Sequence, residues 1–405
     1  MSNRPPPLGE GEELLEQLLA SGRTLDPADV PAIAERFTRT LGIGDSTVYL
    51  ADIQQNRLLP VSGGTAVPID GSLAGWCYRT GSLRVTEDGG GGLQAWFPLV
   101  DGAERLGVLL VGARQLDGTG LRRCRLLAGL LATIIASRRH TSDSYARNTR
   151  ADTMTLPAEM LRAFLPARTL ATPQVVSTAV LEPAYDLGGD AFEHALAGGV
   201  LHAAVLDAMG HDLASGLTAA VALAACRNAR RNGADLPELV RGIDQALTDW
   251  FPDRFATGVF LRLDIATGTL HWSTCGHPPP LLIRGEQVVA DALARAPEPP
   301  LGLADLAGAP RTTHTASLLP GDRLLMYTDG VVEAKGTAHE MFGLDRFAEF
   351  VIRATAAGEP APEVLRRLIH ALLANQDSQL TDDATIMMIE WQPPPLRRPG
   401  GGIQP

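Results

Sequence analysis

The 405-residue chain is predicted to be an α+β protein whose C-terminal half stacks two antiparallel sheets between layers of helices. Three observations lead there. From Thr172 onward strand and helix patterns are segregated, not alternating, which favours antiparallel sheets covered by helices. Thr267-Gly268 marks a hairpin between the apolar runs Gly258–Ile265 and Leu270–Thr274. Four short acidic turns, DLGGD (186–190), VLDAMGHD (205–212), MYTDG (326–330) and TDDAT (381–385), lie beside strand-like segments of the same half.

Taken in order, residues 1–26 read as a mobile start with a short helix at Glu12–Ala20. A helix follows over Asp29–Thr40, with Val30, Ile33, Ala34 and Phe37 on one face. Strands are expected at Ser46–Ala51 and Leu58–Val61, a short helix at Leu73–Thr80 and a glycine-rich loop at Asp88–Gly92. Strands Ala95–Val100 and Arg105–Ala113 flank the turn at Asp101-Gly102, and a helix from Arg122 to Arg139 closes this first domain, 27–140. Residues 141–170 are polar, then helical, with Pro166 ending the pattern, and are expected to form a helical linker. The second domain, 171–392, has strands at Val175–Glu182, Val200–Asp207, Arg323–Thr328 and Thr385–Trp391 in addition to the hairpin. Its helices are Leu213–Arg231, Pro237–Trp250, Leu344–Thr355 and Pro362–Asn375. The tail 393–405 is expected to be disordered.

Composition narrows the function classes. The length suits about two or three domains. A net charge of −11 argues against a nucleic-acid partner, which needs a basic stripe. The most apolar stretches, Leu126–Ser137 and Leu213–Cys226, are too short to span a bilayer, and the polar, acidic N-terminus is no signal peptide. Cys77, Cys124, Cys226 and Cys275 are far apart, which predicts neither a zinc site nor a disulfide framework and points to a cytoplasmic protein.

The chemistry lies in the acidic turns. Asp207 ends an apolar strand just before a long helix, and by itself reads equally as a helix cap and as a cation ligand. Asp190 follows Gly188-Gly189, Asp329 ends another apolar strand, and Asp382 and Asp383 precede the last one. A single Asp-Gly pair is most often only a turn. Four such turns at strand ends favour a shared site, and carboxylates without matching His or Cys suit Mg2+ or Mn2+, not zinc. Two such ions roughly 3.5–4 Å apart can activate a water and clamp phosphoryl oxygens for in-line attack. His277, in CGHPPP, reads either as a general acid or as a structural loop residue, and His211 as a rim residue.

Two family resemblances follow. The segments LAGWCYRTGSLRVTED and AWFPLVDGAERLGVLLVG, in the order helix, two strands, short helix, hairpin, helix, resemble a GAF sensor domain over 27–140. That likeness implies regulation, either with a small ligand or as a dimerisation domain without one. DLGGDAFE, VLDAMGHD, STCGHPPPLLI, LLMYTDGVVEA and TDDATIMMI resemble, in order, the motifs of the bacterial PPM (protein phosphatase 2C-like) serine/threonine phosphatases. The branch is that of sporulation stage II E and the stress-response regulators.

This second resemblance implies roles position by position. Asp207 would bridge two Mn2+ or Mg2+ ions, with the Ala208 carbonyl and, through water, Asp190 on one of them. Asp329 and Asp382 would hold the other ion, with Asp383 supporting the metal site from behind. Gly189, Gly210 and Gly330 would let backbone approach. The implied substrate is a phosphorylated anti-sigma-factor antagonist. The chain shows no recognisable kinase module, so the kinase would be encoded elsewhere, and the pairing of GAF domains and signalling helices makes a homodimer the expected assembly. Asp212, Glu193 and Cys275 depart from the family pattern. The first two are the hints for a rival reading, a phosphatase-fold module acting by protein contact alone. A third reading, an enzyme acting on nucleotides, lacks a P-loop and a basic channel.

Overall fold

The structure, a computed structural model, describes residues 27–139, 141–303, 311–332, 343–375, 380 and 382–393. The helix expected over Glu12–Ala20 and the tail beyond 393 lie outside them. The chain divides into two compact units between Thr153 and Met154.

In the first unit a 3-10 turn, Pro27–Asp29, leads into α1 (Val30–Thr40), β1 (Gly44–Ala51), β2 (Arg57–Pro60) and β3 (Val67–Pro68). Helix α2 (Leu73–Thr80), β4 (Arg84–Glu87), β5 (Leu93–Asp101), β6 (Glu104–Ala113), α3 (Gly118–Arg138) and α4 (Asp143–Thr149) follow. The strands form one antiparallel sheet in the order β3-β2-β1-β6-β5-β4. Side chains of a strand alternate between faces, and β5 shows the consequence. Ala95, Phe97 and Leu99 join the core under α1 and α3, with Ile33, Phe37, Leu127 and Leu131. Trp96 points to the opposite core, with Cys77 and Tyr78 of α2. Helix α3 starts four residues before the expected Arg122, because the Asp117 carboxylate accepts the Gly120 N–H at 2.7 Å and caps it. Glycines at 118 and 120 hid that start.

The second unit begins with α5 (Leu156–Phe164), β7 (Thr169–Ala171), β8 (Val175–Glu182), β9 (Asp190–Ala197) and β10 (Val200–Ala208). Next come α6 (Leu213–Arg231), α7 (Leu236–Trp250), β11 (Ala256–Asp264), β12 (Thr269–Cys275), β13 (Leu281–Arg284), β14 (Gln287–Val288) and β15 (His314–Ser317). The unit ends with β16 (Arg323–Tyr327), the short α8 (Asp329–Val332), α9 (Leu344–Ala356), α10 (Ala361–Asn375) and β17 (Ala384–Trp391). Segment 141–170 is therefore not one linker: α4 belongs to the first unit, while α5 and β7 belong to the second.

Two antiparallel sheets carry this unit, one ordered β15-β12-β11-β10-β9 and the other β14-β13-β16-β17-β8-β7. Strand β17 shows how they stack. Met387, Ile389 and Trp391 enter the core shared with β10, β11 and β12, whereas Ile386 and Met388 face Phe347 of α9 and Leu368 of α10. Helices α6 and α7 contribute Leu223, Leu239 and Ile243 to the shared core. Mixed α+β architecture with antiparallel sheets is thus observed.

Strand β9 was not expected, and its polar residues explain why. Glu193 and His194 interrupt the apolar pattern, yet both are buried. His194 is held by Ser177 at 2.8 Å and by the Ala167 carbonyl at 2.7 Å. Glu193 accepts from Arg227 Nε at 2.7 Å and from Arg230 at 3.0 Å, tying β9 to α6. An aspartate there would be one carbon short of both arginines. Removing one partner of a buried ion pair leaves the others desolvated and uncompensated, so Glu193→Ala is expected to cost about 3–5 kcal/mol. Urea unfolding of the variant against the wild type measures it; a loss under about 1 kcal/mol would mark the pair as solvent-screened.

Candidate active site

The acidic turns meet at one edge of the sandwich. In the first sheet Asp207, near the end of β10, pairs directly with Asp190 at the start of β9 and, on its other side, with Thr257 of β11. In the second sheet Asp329 directly follows Thr328 and β16, and Asp382 and Asp383 precede β17. The Thr328 N–H donates to the Thr385 carbonyl at 3.0 Å, which extends the β16–β17 ladder to the residue before Asp329. Hydrogen bonds then join the two sheets. One Asp383 oxygen accepts the N–H groups of Gly188 (2.8 Å), Gly189 (2.8 Å) and Asp190 (3.2 Å). One Asp190 oxygen accepts the hydroxyls of Thr328 and Thr385, each at 2.7 Å.

Burial grades the carboxylates. Asp190 and Asp383 form a buried floor, Asp207 is half-buried, and Asp329 and Asp382 are exposed. The charges that reach Asp207 are all carboxylates. Burial first, then Asp329, Asp382 and Asp383, push its pKa up to about 7, against a hydrogen bond from Thr257. Burial, Asp207 and Asp383 push Asp190 well up as well, and burial is the main cause for Asp383. Carboxylates crowded this way favour a divalent cation, whose charge reverses the shift.

The donor set fits such a cation with solvent completing its shell. Among the described residues, no three His, Cys, Asp or Glu side chains converge tightly enough to cage an ion alone. Asp383 and Asp190 each also commit one oxygen to protein donors. The remaining positions are all oxygen, which suits Mg2+ or Mn2+ retaining several waters. The glycines keep the floor open. A Cβ on Gly189 would lie 2.1 Å from the Ala208 carbonyl oxygen, and one on Gly330 2.0 Å from that of Asp383.

The departures from the family pattern have structural causes. Asp212 caps α6 in a capping box with Ser215 and pairs with Arg254 at 3.2 Å. Hydrogen bonds from Ser215 lead in holding its pKa down to about 2. Cys275 is fully buried in the shared core. All four cysteines are free and buried, and burial pushes Cys77, Cys226 and Cys275 up to about 12 and Cys124 to about 11. None offers a thiolate nucleophile.

His211 is exposed beside the site, and His277 is buried. His277 Nδ1 lies 2.8 Å from the Thr257 hydroxyl, and burial pushes its pKa down to about 4. Sequence reasoning missed Thr257, Thr328 and Thr385, since threonine in a strand reads as ordinary β-propensity. Their only signal was position: Thr257 lies directly opposite Asp207, Thr328 precedes Asp329, and Thr385 stands two residues after Asp383.

Comparison with known proteins agrees with this geometry. Residues 197–392 match the family model described as stage II sporulation protein E (SpoIIE), a span containing Asp207, Asp329, Asp382 and Asp383 but not Asp190. Protein IcfG of Synechocystis sp. is 30% identical over 139 residues, covering 33% of this chain and 20% of that protein. Phosphoserine phosphatase RsbP of Bacillus subtilis is 25% identical over 140 residues, covering 33% of this chain and 34% of its own length. The chain thus matches about a fifth to a third of these curated relatives. Among solved structures, the SiaA-PP2C domain of Pseudomonas aeruginosa superposes with a TM-score of 0.50 at 21% identity, over 58% of this chain and 94% of that one. Over residues 197–392, just under half of the chain, the C-terminal unit is thus similar to the stage II sporulation protein E branch of the PPM-type (protein phosphatase 2C-like) phosphatases.

Proposed function

We propose that the protein is a metal-dependent serine/threonine phosphoprotein phosphatase acting on a phosphorylated protein of the anti-sigma-factor-antagonist class. The observation that carries this reading is the gathering of Asp190, Asp207, Asp329, Asp382 and Asp383 at one sandwich edge, where carboxylates are the charges that raise Asp207. Similarity to a protein named as a phosphoserine phosphatase supports the phosphoserine part of that reading.

In this reading Asp207, the Ala208 carbonyl and, through water, Asp190 would hold one Mn2+ or Mg2+ ion, and Asp207, Asp329 and Asp382 would hold a second. When bound, the ions activate water for in-line attack and neutralise phosphoryl charge. The chain's own residues do the placing. Thr328 and Thr385 orient Asp190, and Asp383 fixes the Gly188–Asp190 main chain through three hydrogen bonds. Asp329 and Asp382, at the open side, face the incoming phosphoryl group. With every thiol buried, water is the nucleophile this site can use. The contact-only reading loses its support, because Asp212 and Glu193 have structural partners that leave the carboxylate set intact.

The first unit, one sheet with helices on both faces, is proposed as a GAF-like sensor regulating this activity. Among the described residues no helix is long and apolar enough to cross a membrane.

Mn2+-dependent hydrolysis of a phosphoserine peptide is the direct test. Wild type is expected to be active with Mn2+ and silent with chelator. Asp207→Asn should lose more than the roughly 10–100-fold that changing a ligand's supporting partner costs. Activity unchanged in Asp207→Asn would place the site elsewhere. Gly189→Ala is expected to lower Mn2+ affinity at least about tenfold, since the added carbon crowds the Ala208 carbonyl. Unaltered calorimetric affinity in that variant would remove the carbonyl from the ligand set.

A further inference from the structure

Arg254 reaches from the segment before β11 into the turn that follows Asp207, and nothing in the reaction above uses it. Its main-chain N–H is tied to the Phe251 carbonyl at 3.0 Å, and its side chain is 24% exposed. Nη1 donates to the Met209 carbonyl and to the Ser215 hydroxyl, each at 3.3 Å, and Nη2 to the Asp212 carboxylate at 3.2 Å. A guanidinium only donates, so the direction of these bonds is fixed. Nη1 carries two hydrogens, one for each of its acceptors.

Met209 is held from both ends by this segment. Its N–H donates to the Phe255 carbonyl at 3.2 Å, and its carbonyl accepts from Arg254. The first bond fixes the peptide that joins Ala208 to Met209. In a planar trans peptide the N–H and the C=O point opposite ways. The Ala208 oxygen is therefore turned from Phe255 toward Gly189, where an added Cβ would meet it at 2.1 Å. The second bond fixes the next peptide, just before Gly210 turns the chain at a φ of +90°. Without Arg254 the Met209 carbonyl would keep only the Ser215 hydroxyl, at 2.9 Å. That hydroxyl has one proton, which Asp212 Oδ1 also attracts at 2.8 Å.

Asp212 in turn sets the arginine. Its Oδ1 accepts the Ser215 N–H at 2.8 Å and caps α6, and its Oδ2 is left for Arg254. The glycine that the family pattern has at this position would supply neither oxygen.

We propose that Arg254 is a positioning residue: anchored by Asp212, it locks the Met209 carbonyl and so keeps the Ala208 carbonyl turned toward the divalent-cation site. This rests on the metal-dependent reading and on the Ala208 carbonyl as a ligand within it. A grip on the phosphoryl group is disfavoured, because the donors of Nη1 and Nη2 are already spent on Met209, Ser215 and Asp212.

The test is calorimetric Mn2+ titration of the full-length protein, with phosphopeptide turnover followed against Mn2+ concentration. Arg254→Met keeps an apolar stem and removes every donor. It is expected to weaken Mn2+ binding roughly 10–100-fold, the usual effect of removing a partner behind a metal ligand. Arg254→Lys, which keeps a charged donor without the fork, should recover part of that loss. In Arg254→Met the activity curve should move to higher Mn2+ and reach the wild-type plateau, with the peptide KM unchanged at saturating metal. Arg254→Met and Gly189→Ala both act through the Ala208 carbonyl, so the double variant should bind no more weakly than the worse single one. Unchanged Mn2+ affinity in Arg254→Met overturns the proposal. With lowered thermal stability it would mark an arginine that only fastens the turn, and with a raised peptide KM one that grips the substrate. Additive losses in the double variant overturn it too. Should Arg254→Met fail to fold, Asp212→Asn, which keeps a cap for α6 and drops the charge facing Arg254, decides by the same titration: weaker Mn2+ binding supports the proposal and unchanged binding overturns it. A wild type that takes up no Mn2+ defeats the metal-dependent reading itself, and the positioning role falls with it. If the wild type binds Mn2+ but spares the peptide, the phosphatase reading fails while the titrations still decide this one.

Discussion

One carboxylate joins the two halves of this site. Asp383 leads into β17 in one sheet and accepts three main-chain N–H groups from Gly188, Gly189 and Asp190, which open β9 in the other. Hydrogen bonds to an ionised acceptor are among the stronger ones, and these three are buried. They hold a negative group where two more aspartates converge, so the arrangement opposes its own electrostatics. The hydroxyls of Thr328 and Thr385 on Asp190 and of Thr257 on Asp207 offset part of that repulsion. The remainder is what makes the edge a natural seat for a divalent cation.

The departures from the family pattern show how such an edge tolerates change. Asp212, where glycine is usual, caps α6 and pairs with Arg254. Glu193, one methylene longer than the usual aspartate, reaches two arginines of α6. Both substitutions spend their charge on fastening α6 to its surroundings. The sheets and the carboxylates that end them are unaffected.

Much of this was readable from residues alone, for physical reasons. Long elements with one dominant periodicity, such as Leu213–Arg231 and Val200–Asp207, fell close to their observed bounds because burial of one face dictates the pattern. Strand Asp190–Ala197 did not, because its buried Glu193 and His194 look solvent-facing until their partners, far along the chain, are known. Short edge strands such as Gln287–Val288 carry too few residues for any period. At the site the aspartates were legible as acidic turns at strand ends, and their grading from buried Asp190 to exposed Asp382 was not. Nor was the threonine set, since hydroxyls acquire meaning only from what lies across a ladder. The partition of 141–170 between two units was hidden for a similar reason: α5 follows the second unit through main-chain contacts such as Thr155 N–H to the Tyr185 carbonyl at 2.9 Å.

The central claim is that this edge is a two-ion site organised about Asp207. Anomalous X-ray diffraction from crystals grown with Mn2+ tests it most directly. Two peaks flanking the Asp207 carboxylate, one toward Asp190 and the Ala208 carbonyl and one toward Asp329 and Asp382, are the expected result. Peaks only at other acidic positions, or none in crystals holding excess Mn2+, would contradict it.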